Sequence, residues 1–85
     1  MSDDDIKATI TELVADELAI EDDGSITPTS RLREDLGADS LDMVELTMRV
    51  EEHYDIEIPD DDIDDKLITV GDLVTYVEKR VEKRR

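Results

Sequence analysis

Aliphatic residues recur every three or four positions through most of the chain, and this spacing constrains the fold more than any other feature. Such a period places side chains on one face of an α-helix. It predicts a first helix ending near Leu18, a second helix over residues 40–53 and a fourth helix from about Val70. Before the fourth helix, Pro59 forces Ile58 out of helical geometry and then begins a short, acid-rich turn or third helix. The chain therefore has four helical segments and no convincing strand.

Polar residues mark where two of these helices begin. Ser2 caps the first helix in this interpretation, and Asp5 stands three residues further on. Thr69 and Asp72 have the same capping-box spacing at the start of the fourth helix. The long connection between the first two helices contains Gly24, several Ser and Thr residues and one proline, which are typical of a loop.

A short turn is expected near the end of that connection. It would run over residues 30–36, and Gly37 is a suitable residue to end it. The loop therefore leads directly into the start of the second helix.

Composition limits the chemistry of the chain. Its 85 residues include two tyrosines but no phenylalanine, tryptophan or cysteine, so the core must be aliphatic and a thiol site is excluded. The net charge is −16, which repels nucleic acid and anionic membranes and favours partner proteins with basic patches. No apolar run approaches the length of a membrane span, and no secretory signal is visible.

The last seven residues reverse this charge. Residues 79–85 contain five basic residues and one acidic residue. Cations complement the negative end of a helix, so we expect this segment to stabilise the last helix and then to fray. A specific anionic partner is the alternative explanation.

Ser40 stands at the predicted start of the second helix without a neighbour that could activate it. Asp39 is a favourable N-cap, and Asp42 occupies the third position after it. Ser40 is then the first helical residue, with its hydroxyl free to point outward. No basic residue lies within six positions of it. Local features alone favour a helix-start serine with no further role.

The second helix has two opposed apolar stripes at about 100° per residue. The longer stripe is assigned to the core and comprises Met43, Leu46, Val50 and Tyr54. The opposite one, which we call the docking strip, comprises Leu41, Val44 and Met48 and has an acidic rim of Glu45, Glu51 and Glu52. Exposed apolar strips rimmed by charge commonly bind partners. The alternative is that neighbouring helices bury both stripes.

The stretch EDLGADSLDMVEL, followed by EIPD and TVGD, resembles the attachment motif of the acyl carrier proteins, the small acidic carriers of fatty-acid synthesis. The resemblance is close over about half of the chain and extends in pattern over nearly all of it. It implies a single carrier domain over residues 1–85. The implied fold is all-α, a small four-helix bundle with three longer helices, a short third helix and a long loop between the first two.

The resemblance also implies a role for Ser40. In that family the serine oxygen is joined through a phosphodiester to 4′-phosphopantetheine, donated by coenzyme A, and the matching acceptor here is Ser40. A separate transferase activates the serine, so no local base is needed, and Asp39 would support the modification. The arm would supply the thiol that the chain lacks, so that acyl intermediates travel as thioesters between enzymes of fatty acid biosynthesis. The chain is then a carrier and not an enzyme.

The implied partners are a phosphopantetheinyl transferase, acyl-processing enzymes with basic patches, and acyl chains. The residues expected to contact these enzymes are Leu41, Asp42, Val44, Glu45, Met48, Glu51 and Glu52. We expect a cytoplasmic monomer that neither binds nucleic acid nor inserts into membranes.

Two alternatives remain open at this point. A carrier for a polyketide or other specialised acyl pathway would share the fold and the serine, although the strongly acidic second helix favours fatty-acid synthesis. From a different class, the chain could be an acidic adaptor or a divalent-cation-binding protein with Ser40 unmodified. The acidic residues of segment 60–65 lack the ordered ligand spacing of a calcium loop, so we expect a solvated acidic face and no specific metal site.

Overall fold

The structure, a computed structural model, describes residues 3–83. Its helices, in chain order, are α1 (Asp3–Glu17), a 3₁₀ turn (Asp23–Ser25), α2 (Ser40–Tyr54), α3 (Asp60–Asp65) and α4 (Val70–Lys83). Within residues 3–83 there is no strand, and the only sheet-like pairing is one isolated bridge between Arg31 and Thr69. The predicted all-α fold with three longer helices and a short third one is confirmed.

The capping box predicted at the start of α4 is present. The Asp72 N–H donates to the Thr69 hydroxyl (3.0 Å), and the Thr69 N–H donates to the Asp72 carboxylate (3.0 Å). The same carboxylate also accepts the N–H of Ile68 (3.2 Å). Three backbone N–H donors are therefore satisfied by side-chain acceptors at one helix start. Ser2, the predicted cap of α1, lies outside the described residues.

The core is aliphatic and fills the space where α1 packs on both α2 and α4. Each fully buried Leu, Ile, Val or Met side chain contributes about 1.5–3 kcal/mol, so a core of this kind can stabilise a small domain without a large aromatic residue at its centre. The side chains that are completely buried include Ile10, Val14, Leu32, Met43, Leu46, Val50, Leu73 and Val77.

Helices α1 and α2 run antiparallel. Glu17, the last residue of α1, meets the first half of α2 at Asp42 and Glu45, whereas Leu13, one turn earlier, lies beside His53 near the end of α2. This arrangement brings the end of α1 to the same end of the bundle as the start of α2.

The long loop is tied to the start of α4 by backbone hydrogen bonds. The N–H of Gly71 donates to the Pro28 carbonyl (2.8 Å), and the N–H of Val70 donates to the Ser30 carbonyl (3.0 Å). A Cβ atom on Gly71 would lie 2.8 Å from that Pro28 oxygen, so only glycine allows this close approach. The loop is therefore a fixed part of the bundle.

The basic residues 79–83 lie in the last helix, where their cations can complement its negative end, and the expected fraying of the rest of the tail stays a prediction. These residues form the end of α4, which continues to Lys83. Val81 is partly buried against the core and holds this last turn on the bundle. Residues 84 and 85 lie outside the described residues.

No helix within residues 3–83 has both the length and the apolar character needed to cross a lipid bilayer.

Candidate functional site

Ser40 is the first residue of α2, and its hydroxyl is exposed. The helix start is held by a capping box: the Asp42 N–H donates to Asp39 Oδ1 (2.8 Å), and the Asp39 N–H donates to Asp42 Oδ2 (3.1 Å). Both predicted cap residues are therefore used to begin the helix. The Ser40 hydroxyl makes no hydrogen bond to any residue that the structure describes. It is an exposed hydroxyl at a helix end that the capping box holds in place.

The segment before Ser40 is anchored in the core. Leu32 is completely buried, its N–H donates to the Ile68 carbonyl (2.9 Å), and its carbonyl accepts the N–H of Ala38 (2.9 Å). Gly37 has a φ of 77°, a left-handed conformation that glycine adopts without strain, and so it ends the preceding turn as predicted. The turn over residues 30–36 is present and does not extend into a helix. These contacts fix the position from which α2 begins.

One apolar stripe of α2 is buried and the opposite one is exposed, as the sequence predicts. Met43, Leu46 and Val50 are completely buried, and Tyr54 is buried as well. Across the helix, the docking strip is open to solvent, with exposed fractions of 64% for Leu41, 43% for Val44 and 53% for Met48. The alternative in which both stripes are buried is excluded.

The acidic residues around the strip have different surroundings. Glu45 and Glu52 are exposed, whereas Asp42 is half-buried in the capping box. Glu51 is half-buried as well, and its carboxylate accepts the N–H of Ile58 (3.1 Å), in the segment that follows α2. Glu51 therefore ties the end of α2 to the next segment, a role that the sequence did not reveal.

Helix α1 contributes Glu17 to this surface, which the sequence did not reveal either. Its side chain is only 9% exposed, and its Oε1 pairs with Arg49 Nε on α2 at 3.0 Å. Carboxylate oxygens of Glu17, Asp42 and Glu45 lie within 4.8 Å of one another. A hydrogen bond shared with Glu45, and then burial, raise the pKa of the Glu17 carboxyl above its ordinary value of 4.5.

These residues continue the docking strip toward α1. Glu17, Glu45, Met48, Arg49 and Glu52 line a groove of about 290 Å³. No spacing in the sequence could have linked Glu17 to Arg49, because they meet only when α1 and α2 pack. Among the side chains that the structure describes, the three carboxylates of Glu17, Asp42 and Glu45 are the one group close enough to share a metal ion, and the Arg49 guanidinium already neutralises Glu17.

Ile68 is a fourth large apolar side chain exposed to solvent, at 49%. It lies in the segment before α4, where no period distinguishes an inward from an outward side chain. Its carbonyl accepts the Leu32 N–H, so it adjoins the loop that leads to Ser40.

Comparison with known proteins agrees with this geometry. Residues 8–77 match the family described as the phosphopantetheine attachment site. The chain is also 47% identical over 79 residues to an acyl carrier protein of Akkermansia muciniphila, covering 93% of this chain and 96% of that protein. The chain belongs to the acyl carrier proteins. It is a carrier and not a catalyst, its cofactor is 4′-phosphopantetheine, and its partners are acyl chains and the enzymes that process them.

The residues of this carrier fit that cofactor. A thioester needs a sulfur atom, and the chain contains no cysteine, so the thiol must come from the arm. A phosphodiester needs an accessible hydroxyl, and Ser40 offers one that no described residue occupies. The arm supplies the thiol to which the acyl group is bound, while the protein supplies an exposed and rigid anchor for it.

Proposed function

We propose that Ser40 carries the 4′-phosphopantetheine arm and that the chain delivers acyl intermediates, as thioesters, between enzymes of fatty acid biosynthesis. The observation that supports Ser40 as the attachment site is its exposed hydroxyl at the first residue of α2. This hydroxyl makes no hydrogen bond to described residues and lies next to an apolar strip. An arm fixed there leaves the protein at the end of a helix whose position the core determines. Its reactive end can then reach into a partner enzyme that contacts the same helix.

The proposal gives Asp39 two functions. Its Oδ1 atom accepts the Asp42 N–H and so holds Ser40 at the helix start. Its negative charge, on an exposed residue next to the hydroxyl, would help to position the transferase or the metal ion that the transferase uses. The first function depends on the capping hydrogen bond and the second on the negative charge. Substitutions that remove one and keep the other can therefore distinguish them.

The proposed partner surface is the docking strip and the acidic residues around it. Leu41, Val44 and Met48 would form the apolar centre of the interface. The surrounding acids would pair with Lys and Arg of the partner and comprise Asp42, Glu45, Glu51 and Glu52. Each exposed pair contributes only about 0–1 kcal/mol, which suits a carrier that must leave each enzyme after reaction.

The assignment to fatty acid biosynthesis is supported by the strongly acidic α2, which suits partners with basic patches. A carrier for a polyketide or other specialised pathway is the second candidate, since it would use the same serine and strip. The proposal also includes a single domain over residues 1–85, a monomeric state and a cytoplasmic location. Sedimentation and cell fractionation would test the last two.

The attachment site is tested by intact-mass measurement. The chain is incubated with coenzyme A, Mg²⁺ and a broad-specificity phosphopantetheinyl transferase, in the wild type and as Ser40→Ala. The wild type should gain the mass of one arm, and Ser40→Ala should gain none. Ser25→Ala is the matched control, since it removes another exposed serine and should leave modification unchanged. An arm on Ser40→Ala, or none on the wild type, would exclude Ser40 as the acceptor.

A further inference from the structure

A groove on the side of α4 differs in charge from the rest of this acidic molecule. It has a volume of about 350 Å³, and we call it the basic groove; its lining residues are Lys66, Asp72, Thr75, Tyr76, Lys79 and Arg80. Three of these six carry positive charge in a chain whose net charge is −16. The carboxylate of Asp72 is already used in the α4 cap. With the carboxylate of Asp62 beside two of the cations, the groove holds three positive and two negative groups, a local excess of one positive charge.

Two of the cations are held in place by a small network around Asp62. The Tyr76 hydroxyl donates to Asp62 Oδ2 (2.6 Å), and the Arg80 guanidinium lies 3.6 Å from the same oxygen. Arg80 also lies over the Tyr76 ring, 4.7 Å from its centroid, and Lys66 Nζ lies 3.5 Å from Asp62 Oδ1. Cations that only complement the negative end of α4 would not need a lysine next to α3. They would also not need an arginine stacked on an aromatic ring.

Lys79 is different, because it has no ionic partner among the residues that the structure describes. It is exposed and lies on the turn of α4 next to Tyr76. A free ammonium group beside an ordered guanidinium and an aromatic ring is a recognition surface for carboxylates.

We propose that the basic groove binds a carboxylate-rich segment of a partner protein. The groove extends from Asp72 to Arg80, which is two turns of helix or about 12 Å, long enough for several residues of a peptide. Such a segment can contact several cations at once and also pack on Tyr76. A single small anion cannot span this length. A second copy of this chain, which brings a net charge of −16, is repelled more strongly than a short acidic segment that brings only a few negative charges.

The proposal can be tested on the full chain without the arm and is therefore independent of the role of Ser40. The ¹⁵N-labelled chain is titrated with an end-blocked hexaglutamate peptide at moderate salt, and amide signals are followed by NMR. Residues of the basic groove should shift in a saturable manner. An end-blocked hexaglutamine peptide, which lacks charge, should leave these signals unchanged.

Two charge-reversal variants distinguish the effect of the groove on binding from the effect of the net charge of the molecule. Lys79→Glu should weaken hexaglutamate binding about five- to tenfold, since it replaces an attractive pair by a repulsive one without touching the Asp62 network. Lys7→Glu makes the same change in net charge on an exposed residue of α1 and should change binding less than about twofold.

Four results would overturn the proposal. They are the absence of shifts in the groove, equal weakening by Lys7→Glu, the same shifts with inorganic phosphate at equal affinity, and the same shifts on concentrating the chain alone. The third result would indicate a site for small anions, and the fourth an interface between copies.

Discussion

The N-cap of α2 provides the sharpest test of how the structure would support the proposed modification of Ser40. Asp39 Oδ1 accepts the Asp42 N–H at 2.8 Å, and Asp39→Ala removes this acceptor. Asp39→Asn keeps an oxygen in the same position but removes the negative charge. The two variants therefore separate the cap from the charge.

The expected loss of stability follows from the geometry. Replacing an Asp N-cap by Ala typically costs about 1 kcal/mol, within a range of about 0.5–2 kcal/mol. Part of this loss is offset, because Ala also removes the repulsion between the carboxylates of Asp39 and Asp42. For a domain of this size, about 1 kcal/mol lowers Tm by about 4–8 °C. Asn caps nearly as well as Asp, so Asp39→Asn should lose less than half as much.

Two measurements on each variant complete the test. Urea unfolding followed by circular dichroism gives the free energy of unfolding, and intact mass against time gives the rate of modification by the transferase. We expect Asp39→Ala to be less stable and modified more slowly. Asp39→Asn should be nearly as stable as the wild type and yet be modified more slowly, because the charge is lost.

The role of the cap and the role of the charge are tested separately. Wild-type stability of Asp39→Ala would show that the capping box does not stabilise α2. A wild-type modification rate for Asp39→Asn would show that the charge of Asp39 has no part in recognition by the transferase.

Three further predictions concern the strip, the loop and pH. Glu45→Lys should slow reactions with partner enzymes several-fold at low salt without changing the unfolding curve, since it reverses one exposed charge. Gly71→Ala should lower the free energy of unfolding by about 1–3 kcal/mol, because its Cβ would lie 2.8 Å from the Pro28 carbonyl oxygen. The Tyr76 hydroxyl lowers the pKa of Asp62 below its ordinary value of 3.8, so this pair stabilises the fold above pH 3.8 and loses its contribution as pH falls through the lowered pKa. Tyr76→Phe should therefore lower the free energy of unfolding at neutral pH. When this free energy is measured by urea unfolding at a series of pH values, it should fall less steeply toward acid pH in Tyr76→Phe than in the wild type.

Matched variants define what would contradict these expectations. Glu12→Lys reverses an exposed charge on α1, and equal slowing by it and by Glu45→Lys would attribute the effect to net charge. In Gly24→Ala the new Cβ would meet the end of the Asp22 side chain at 3.1 Å, which can move, so the loss should be small. A Gly71→Ala protein as stable as Gly24→Ala would contradict the close-packing argument. A Tyr76→Phe protein with the wild-type pH profile would show that the hydroxyl does not stabilise the Asp62 carboxylate.

Local patterns predicted the parts of the site that depend on neighbours in the chain. Asp39 and Asp42 are three residues apart, so the cap of α2 and the outward position of Ser40 could be inferred from spacing. The period of α2 likewise separated Met43 and its buried neighbours from the exposed docking strip.

The contacts that were not predicted from the sequence join residues that are distant in the chain, or residues in segments without a regular spacing of apolar side chains. Glu17 pairs with Arg49 across 32 positions, and Glu51 accepts the N–H of Ile58, which lies beyond the end of α2. Neither pair lies within one helix or one turn, so no local rule could identify the contact. Ile68 is exposed in a segment whose side chains have no preferred face.

The sequence by itself determined where α2 and α4 begin, which face of α2 is buried and which hydroxyl stands at its start, because helix caps and helical periods depend on residues only a few positions apart. Only the tertiary structure decided that α1 places a nearly buried Glu17 beside the proposed partner surface and that cations from two segments meet in the basic groove. Packing brings charges together that the chain keeps apart, and electrostatic interactions depend on distance in space, not on separation in sequence.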